Sequence, residues 1–315
     1  MTRPLQVGIP DLVSNSYFPV IAAVELGFME EEGVDAELEL LFPVTDAAFA
    51  LQSGKLDFLG GAAHAPLYAF PGWHGVKLVA ALSQHMYWFL VARSDLGIQR
   101  GDLAALRGLT IGAAPGVGVG LAQLLVRSGV DIEEAEIRII PVPGASGASI
   151  SFGVTAAEAL ADGRVDAFWA NGMGTEVAVR NGVGSVVIDA RRDQTPGTLL
   201  TFPALSTTEA LIERDPETVA GAVRAVVRAQ KALREDPELA TSVGAKLFPS
   251  MEAGLIAELI ARDAPYYQAS ISPEAVAGVN DFAAQIGLQG SQQGYEQTVA
   301  VRFSPLWDGD PGIAR

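Results

Sequence analysis

The sequence predicts an α/β protein of two lobes, each a mainly parallel β-sheet flanked by helices. Three observations lead to this prediction: an internal repeat, an alternation of strand-like and helix-like segments in each copy, and apolar segments that carry the chain between the copies. Such alternation produces parallel sheets with helices on both faces. Two crossover strands would then hinge the lobes about a shared cleft.

The internal repeat aligns LQSGKLDFLGGAAHAPLY (51–68) with LADGRVDAFWANGMGTEV (160–177). In both copies a helical segment ends at a glycine, as helices commonly do. A basic residue, an aspartate and an apolar run follow, which predicts a short buried strand and then a loop. The matched pairs are Gly54 with Gly163, Lys55 with Arg164, and Asp57 with Asp166.

Each copy is preceded by two further strands. PLQVGIP (4–10) and GLTIGAAP (108–115) both read as a buried strand that runs into a loop. After a helix, a Gly-Val-Asp turn leads into the next strand, in 33–43 and again in 129–142. Each half therefore reads strand, helix, strand, helix, strand.

The crossovers set the expected lobe boundaries. The apolar segment 76–95 predicts two strands, the second of which enters the second lobe. A return strand is expected near 198–208. The first lobe is therefore predicted to comprise residues 1–90 plus 205–315, and the second lobe residues 91–204.

The C-terminal part is predicted to be helical. Apolar residues recur at three- and four-residue spacing over 208–236, with a break at Pro216. Further helices are expected around 252–263 and 273–286.

Composition excludes several classes of function. The net charge of −16 argues against nucleic-acid binding, which needs clustered Lys and Arg. The absence of cysteine excludes thiol catalysis, disulfides and Cys-ligated zinc. No apolar run is long enough for membrane insertion. The start MTRPLQVGIP has no apolar signal segment, which favours a cytoplasmic location, whereas a leader removed before residue 1 would imply the periplasm.

Several segments resemble one known superfamily, that of the type II periplasmic binding proteins. They are 18–38, 51–58, 108–120, 160–170 and 213–225. Within it, the sequence resembles in particular the substrate-binding proteins for nitrate, sulfonates and taurine, and their relative, the thiamin pyrimidine synthase. The resemblance implies a type II fold that binds a small anion in the cleft between the lobes. The superfamily also includes soluble enzymes.

The loop after the first strand is the first candidate ligand-binding segment. It contains Ser14, Asn15, Ser16 and Tyr17 where a helix should begin. The hydroxyl and amide groups either cap that helix or bind an anion at its N-terminus. Tyr17 would add an aromatic wall.

A glycine-rich turn is the second candidate. Gly116, Val117 and Gly118 precede a predicted helix, where backbone N–H groups can approach a ligand. The spacing is G-x-G-x-G, and the next strand ends without an acidic residue for a ribose, which argues against a dinucleotide. A carboxylate or sulfonate is favoured, and a turn needed only for packing is the alternative.

The loops that follow the repeat form the third candidate. The repeat aligns His64 with Met173 and places Asn171 in the same loop of the second lobe. We therefore expect these three residues to face each other across the cleft. Tyr87 and Trp88, in the crossover, either reach the cleft floor or belong to the core.

Three weaker candidates complete the site predictions. Arg191 and Arg192 follow a strand and either clamp a carboxylate or lie on the solvated surface. Ser146 and Ser149 lie in the loop 141–153, which lacks the spacing of a nucleophile elbow. The three histidines lie 10 and 11 residues apart without a metal-binding motif, so no metal site is predicted.

Two functions from different classes follow. The first is a binding protein of ABC-transporter type that closes on a small organic or inorganic anion, with a permease as its partner if it is exported. The second is an enzyme on the same scaffold, a lyase, decarboxylase or biosynthetic enzyme, with His64 as general acid/base. The thiamin pyrimidine synthase carries a histidine in the corresponding loop, but its cysteine-rich motif is absent here. No cofactor is predicted.

Overall fold

The computed structural model describes residues 3–145, 151–193, 195–288, 290 and 292–308. The strands are β1 (Leu5–Ile9), β2 (Ala36–Leu40), β3 (Phe58–Ala62), β4 (Val76–Ala81), β5 (Phe89–Arg93), β6 (Thr110–Ala113), β7 (Arg138–Pro141), β8 (Ala167–Ala170), β9 (Gly184–Asp189) and β10 (Pro203–Thr208). The α-helices are α1 (Phe18–Glu25), α2 (Phe28–Glu31), α3 (Val44–Gln52), α4 (Gly118–Arg127), α5 (Phe152–Ala161), α6 (Gly172–Arg180), α7 (Glu209–Arg214), α8 (Pro216–Glu235), α9 (Leu239–Leu247), α10 (Ser250–Asp263), α11 (Pro273–Gln285) and α12 (Tyr295–Thr298).

Two five-stranded sheets form the two lobes and confirm the predicted fold class. The first sheet has the order β2-β1-β3-β10-β4 and the second the order β7-β6-β8-β5-β9. Within each sheet the first three strands pair in parallel, whereas β10 and β5 run antiparallel to both neighbours. Each antiparallel strand immediately follows a crossing of the chain from the other sheet. The sheets are therefore mixed, because a returning strand is inserted beside the third strand of each.

The internal repeat is visible in the hydrogen bonds of the two sheets. The Asp57 carboxylate accepts the Gln6 N–H at 2.9 Å, and the Asp166 carboxylate accepts the Thr110 N–H at 2.9 Å. The preceding glycines both adopt the left-handed conformation, with φ of 75° at Gly54 and 68° at Gly163. The same device thus turns the chain from a helix into the third strand of each sheet.

Among the C-terminal helices, α8 contacts the first sheet, and its start confirms the predicted break at Pro216. Helix α8 begins there, and the preceding Asp215 caps it by accepting the Thr218 N–H at 3.1 Å. The helix packs against α1 and buries an alanine- and valine-rich face. Within the described residues, no helix is both long and apolar enough to cross a membrane.

Candidate functional site

A cleft of about 570 Å³, including its open mouth, lies between the two sheets. It is bordered by the loops that follow β1, β2, β3, β6 and β8, where parallel strands present ligand sites. Its described wall is mostly apolar or aromatic: Pro10, Tyr17, Phe42, Val44, Ala62, Tyr87, Trp88, Ala114, Pro115, Gly116, Val117, Phe152 and Ala170. The remaining polar groups belong to Asp11, Ser14, His64 and Asn171.

Two buried polar atoms in this wall have no hydrogen-bond partner among the described residues: Ser14 Oγ and His64 Nε2. The other ring nitrogen of His64, Nδ1, lies 3.0 Å from Thr201 Oγ1. If the Thr201 hydroxyl donates to Nδ1, the Nε2 atom carries the proton and is a donor. Because buried polar groups are normally paired, Ser14 Oγ and His64 Nε2 are the wall atoms that we expect to hydrogen-bond to a ligand.

Asp11 joins the two lobes. Its Oδ1 accepts the Val13 N–H at 3.0 Å, and its Oδ2 accepts from Asn171 Nδ2 at 2.8 Å. The first backbone N–H groups of α5, at Phe152 and Gly153, also hydrogen-bond to this carboxyl. Burial nevertheless raises the pKa of Asp11 to about 7, against these hydrogen bonds, which lower it.

His64 is shifted in the opposite direction. Burial lowers the pKa of its imidazole to about 4, so the ring is neutral at pH 7. A neutral imidazole with so low a pKa is a hydrogen-bonding group and a weak base. The cleft therefore holds an acid that titrates near neutrality and a histidine that does not.

Aromatic rings form the cleft walls. The hydroxyls of Tyr17 and Tyr87 lie 2.5 Å apart, and Tyr87 packs on Trp88 with ring centroids 4.7 Å apart. Phe42 from the first lobe and Phe152 from the second lie nearly parallel, at 17°, with centroids 6.0 Å apart. Tyr87 and Trp88, which the sequence left between core and cleft floor, thus line the cleft.

The structure places six of the ten predicted ligand-binding residues in the wall: Ser14, Tyr17, His64, Gly116, Val117 and Asn171. The other four lie outside it. Asn15 donates to Asp263, Ser16 is buried, Met173 is fully buried in the core, and Gly118 borders a neighbouring depression.

The repeat alignment is displaced in the loop after the third strand. His64 is the N-cap of a short 3-10 helix, Ala65–Tyr68, whereas Asn171 is the N-cap of α6 and accepts the Gly174 N–H at 3.1 Å. His64 therefore occupies the position of Asn171 at the start of a helix, although its side chain does not cap that helix. Met173 lies within the first turn of α6 and faces inward, which corrects the predicted pairing with His64.

The two predicted arginine candidates neither clamp a ligand nor lie free on the surface. Arg191 Nη1 lies 2.8 Å from Asp263 Oδ2, and both side chains are about 2% exposed. Arg192 pairs with the same carboxylate at 2.5 Å and with Asp189 at 3.1 Å. Burial alone would raise the pKa of Asp263, but the two arginines outweigh it and lower the pKa. This cluster joins α10 to the end of β9.

Sequence reasoning missed Asp11, Phe42 and Phe152. Asp11 follows β1 at the carboxyl end of the strand, which was an available signal. The loop candidates Ser146 and Ser149 lie outside the described residues. His74 is exposed, and the described residues contain no cluster of three groups suited to a metal.

A two-lobed α/β fold with a cleft between its sheets defines the class of the type II periplasmic binding proteins, as the sequence resemblance implied. A family model described as NMT1/THI5 like matches residues 14–240, well over half of the chain. The chain belongs to this family. No curated protein sequence is significantly similar to it.

Solved structures share the fold at low sequence identity. A protein of Bordetella bronchiseptica RB50 is 18% identical, with 96% of each chain covered and a TM-score of 0.73. The alkanesulfonate-binding protein SsuA from Xanthomonas axonopodis pv. citri, bound to MOPS, is 15% identical over 96% of this chain and 99% of its own, with a TM-score of 0.70. A mutant of the desulfurization enzyme DSZB in complex with biphenyl-2-sulfinic acid is 16% identical over 97% and 99%, with a TM-score of 0.64.

Proposed function

We propose that this protein is a substrate-binding protein of ABC-transporter type that closes its lobes on a small organic acid, a carboxylate or sulfonate with an apolar body. The single observation that carries the proposal is the composition of the cleft. Aromatic rings from both lobes enclose it, and Ser14 Oγ and His64 Nε2 stand unpaired in its wall. An acid with a ring or short chain would satisfy both features.

The cleft favours an organic acid over an inorganic anion. The described wall contains no Lys or Arg, so only neutral donors and helix N-termini can receive the acidic group. The neutral groups that line the cavity are the hydroxyls of Ser14, Tyr17 and Tyr87 and the ring of His64. Because most of the wall is apolar, much of the binding free energy would come from burial of the ligand's body.

Binding can be tested by thermal unfolding and calorimetry with benzoate, benzenesulfonate, short alkanesulfonates and nitrate. A true ligand at 100 times its Kd is expected to stabilise the protein by about 2.7 kcal/mol. The ring-bearing acids should bind best and nitrate least. Failure of every organic acid to stabilise the protein would refute the proposal.

Two variants test the assigned contacts. Ser14→Ala should weaken binding of the best acid about tenfold, the effect of one lost hydrogen bond. Ser128→Ala is the matched control, because the Ser128 hydroxyl donates to Leu124 O at the end of α4 and lies outside the cleft. Unchanged affinity in Ser14→Ala would remove Ser14 from the site.

A second candidate function is an enzyme on the same scaffold, and Asp11 favours it. A buried carboxyl whose pKa is about 7 is suited to proton transfer, unlike His64 with its pKa of about 4. This moves the acid/base assignment from His64 to Asp11. Mass spectrometry after prolonged incubation with each bound acid tests it: turnover that Asp11→Asn abolishes supports an enzyme, whereas unchanged ligand excludes that reaction.

A further inference from the structure

We propose that the cleft binds its organic acid together with one proton, which is carried by Asp11. The inference rests on the proposed function, since it assumes an acidic ligand. It assigns to Asp11 a role in recognising the ionised group, in addition to its hydrogen bonds between the lobes.

The geometry places two acidic groups in one enclosed space. Asp11 lines the same cavity as Ser14 and His64, and its side chain is buried. An ionised ligand in that cavity would lie close to the carboxyl. Two like charges in a poorly solvated space repel strongly, and the usual resolution is that one of them takes a proton.

Neither the groups that interact with Asp11 nor the His64 ring in the same cavity can supply a compensating positive charge. Tyr17 and Tyr87 are neutral because burial raises the pKa of each hydroxyl. His64 is neutral because burial lowers its pKa, and Asn171 and the N–H groups of α5 carry no net charge.

The arginines at the end of β9 are already neutralised. Arg191 and Arg192 are held by Asp263, and Arg192 also by Asp189. Asn15, next to Ser14 in the loop after β1, donates a hydrogen bond to the same Asp263 carboxylate. The ligand's charge is therefore best balanced by protonating Asp11, a group whose pKa burial has already brought to about 7.

The proton can be counted by titration calorimetry with benzenesulfonate, a strong acid that stays ionised and so cannot take up the proton itself. The heat of binding at pH 8 is compared in buffers of different ionisation enthalpy, such as phosphate and Tris. We expect uptake of about one proton per ligand at pH 8 and close to none at pH 5.5, where Asp11 is already protonated. The Kd should rise about tenfold per pH unit above pH 7.

Asp11→Asn is the decisive variant, since the amide keeps the shape of the carboxyl without its charge. It should bind benzenesulfonate with no proton uptake and with a Kd that is constant from pH 6 to pH 9. Ser14→Ala is the matched control and should retain the uptake despite weaker binding.

The neutral ligand benzenesulfonamide gives a second measurement on the unmodified protein, in case Asp11→Asn does not fold. It should bind at pH 8 with markedly less proton uptake than benzenesulfonate. Tight binding of benzenesulfonate without proton uptake would overturn the inference and leave the proposed function standing. Absence of binding by every organic acid would overturn both.

Discussion

The two lobes have the same arrangement of strands but contribute different chemical groups to the cleft. In each, an aspartate at the start of the third strand accepts the N–H of the first strand at 2.9 Å, Asp57 in one and Asp166 in the other. At the cleft, however, the first lobe contributes the side chains of Asp11, Ser14 and His64. The second lobe contributes the cap residue Asn171 and the N-terminus of α5.

The difference shows where the repeat is constrained. The shared arrangement includes a hydrogen bond from a strand N–H to an aspartate carboxylate at the start of each third strand. The loops at the strand ends are free to differ, and in folds of this kind they carry the function. The lobes thus have separate tasks: the first presents the groups that can titrate or remain unpaired, and the second presents neutral donors.

The largest expected effect comes from breaking the buried ion-pair cluster that joins α10 to the end of β9. Arg191→Met should destabilise the protein by about 3–5 kcal/mol, because it leaves the Asp263 carboxylate buried with one partner fewer. Urea unfolding measures the loss. Arg107→Met, at an exposed pair with Glu134, is the control and should have no measurable effect. A loss at Arg191 as small as that at Arg107 would show that the cluster does not stabilise the contact between α10 and the end of β9.

The titratable groups of the first lobe should give opposite pH dependences. Folded Asp11 holds a proton that the unfolded chain has lost, so its contribution to stability falls as the pH rises from about 4 to about 7. Folded His64 lacks a proton that the unfolded chain binds, so its contribution falls as the pH drops from about 6.5 to about 4. Between pH 4 and pH 6.5 the two contributions oppose each other.

Single variants should separate these two opposing pH dependences of the free energy of unfolding. Relative to the wild type, Asp11→Asn should lose stability on acidification from pH 6.5 to pH 4, by about 1 kcal/mol per pH unit. His64→Gln should lose stability by a similar amount as the pH rises from 4 to 6.5. Urea unfolding at a series of pH values measures both. A double variant that retains either slope would assign that slope to other groups.

A backbone contact specific to the second lobe gives the next effect. A Cβ on Gly174 would lie 2.3 Å from the carbonyl oxygen of Gly153, where the starts of α5 and α6 meet. Gly174→Ala should therefore cost about 1–3 kcal/mol. In the first lobe, a Cβ on Gly61 would come no closer than 3.4 Å to another atom, in the side chain of Val44, so Gly61→Ala should be nearly neutral. Equal melting temperatures for the two variants would contradict this difference.

The smallest effects should come from the shared frame. Asp57→Ala and Asp166→Ala each leave a strand N–H without its acceptor, and each should cost about 1 kcal/mol. The additional loss of the Arg3 ion pair in Asp57→Ala should add little, because Arg3 is exposed. Clearly unequal losses in chemical denaturation would show that the lobes do not use the aspartates equivalently.

The sequence was sufficient for the frame and only partly sufficient for the site. Helix and strand periodicity and the repeated glycine and aspartate are local signals, so they predicted both sheets. Asp11 was missed because its hydrogen-bond partner Asn171 lies 160 residues away in the sequence. Arg191 was misjudged for the same reason, since its partner Asp263 lies on α10. His64 lines the cleft, but its low pKa follows from burial that no local pattern reports.

The exchange of one strand between the sheets also orders the folding of a chain as it is synthesised. All five strands of the second sheet lie between residues 89 and 189, so this sheet can be completed before the remainder has left the ribosome. The first sheet begins with β1 but needs β10 between β3 and β4, and β10 starts only at Pro203. The first sheet therefore cannot be completed until β10 has been synthesised, and the edges of β3 and β4 stay unpaired until β10 inserts between them.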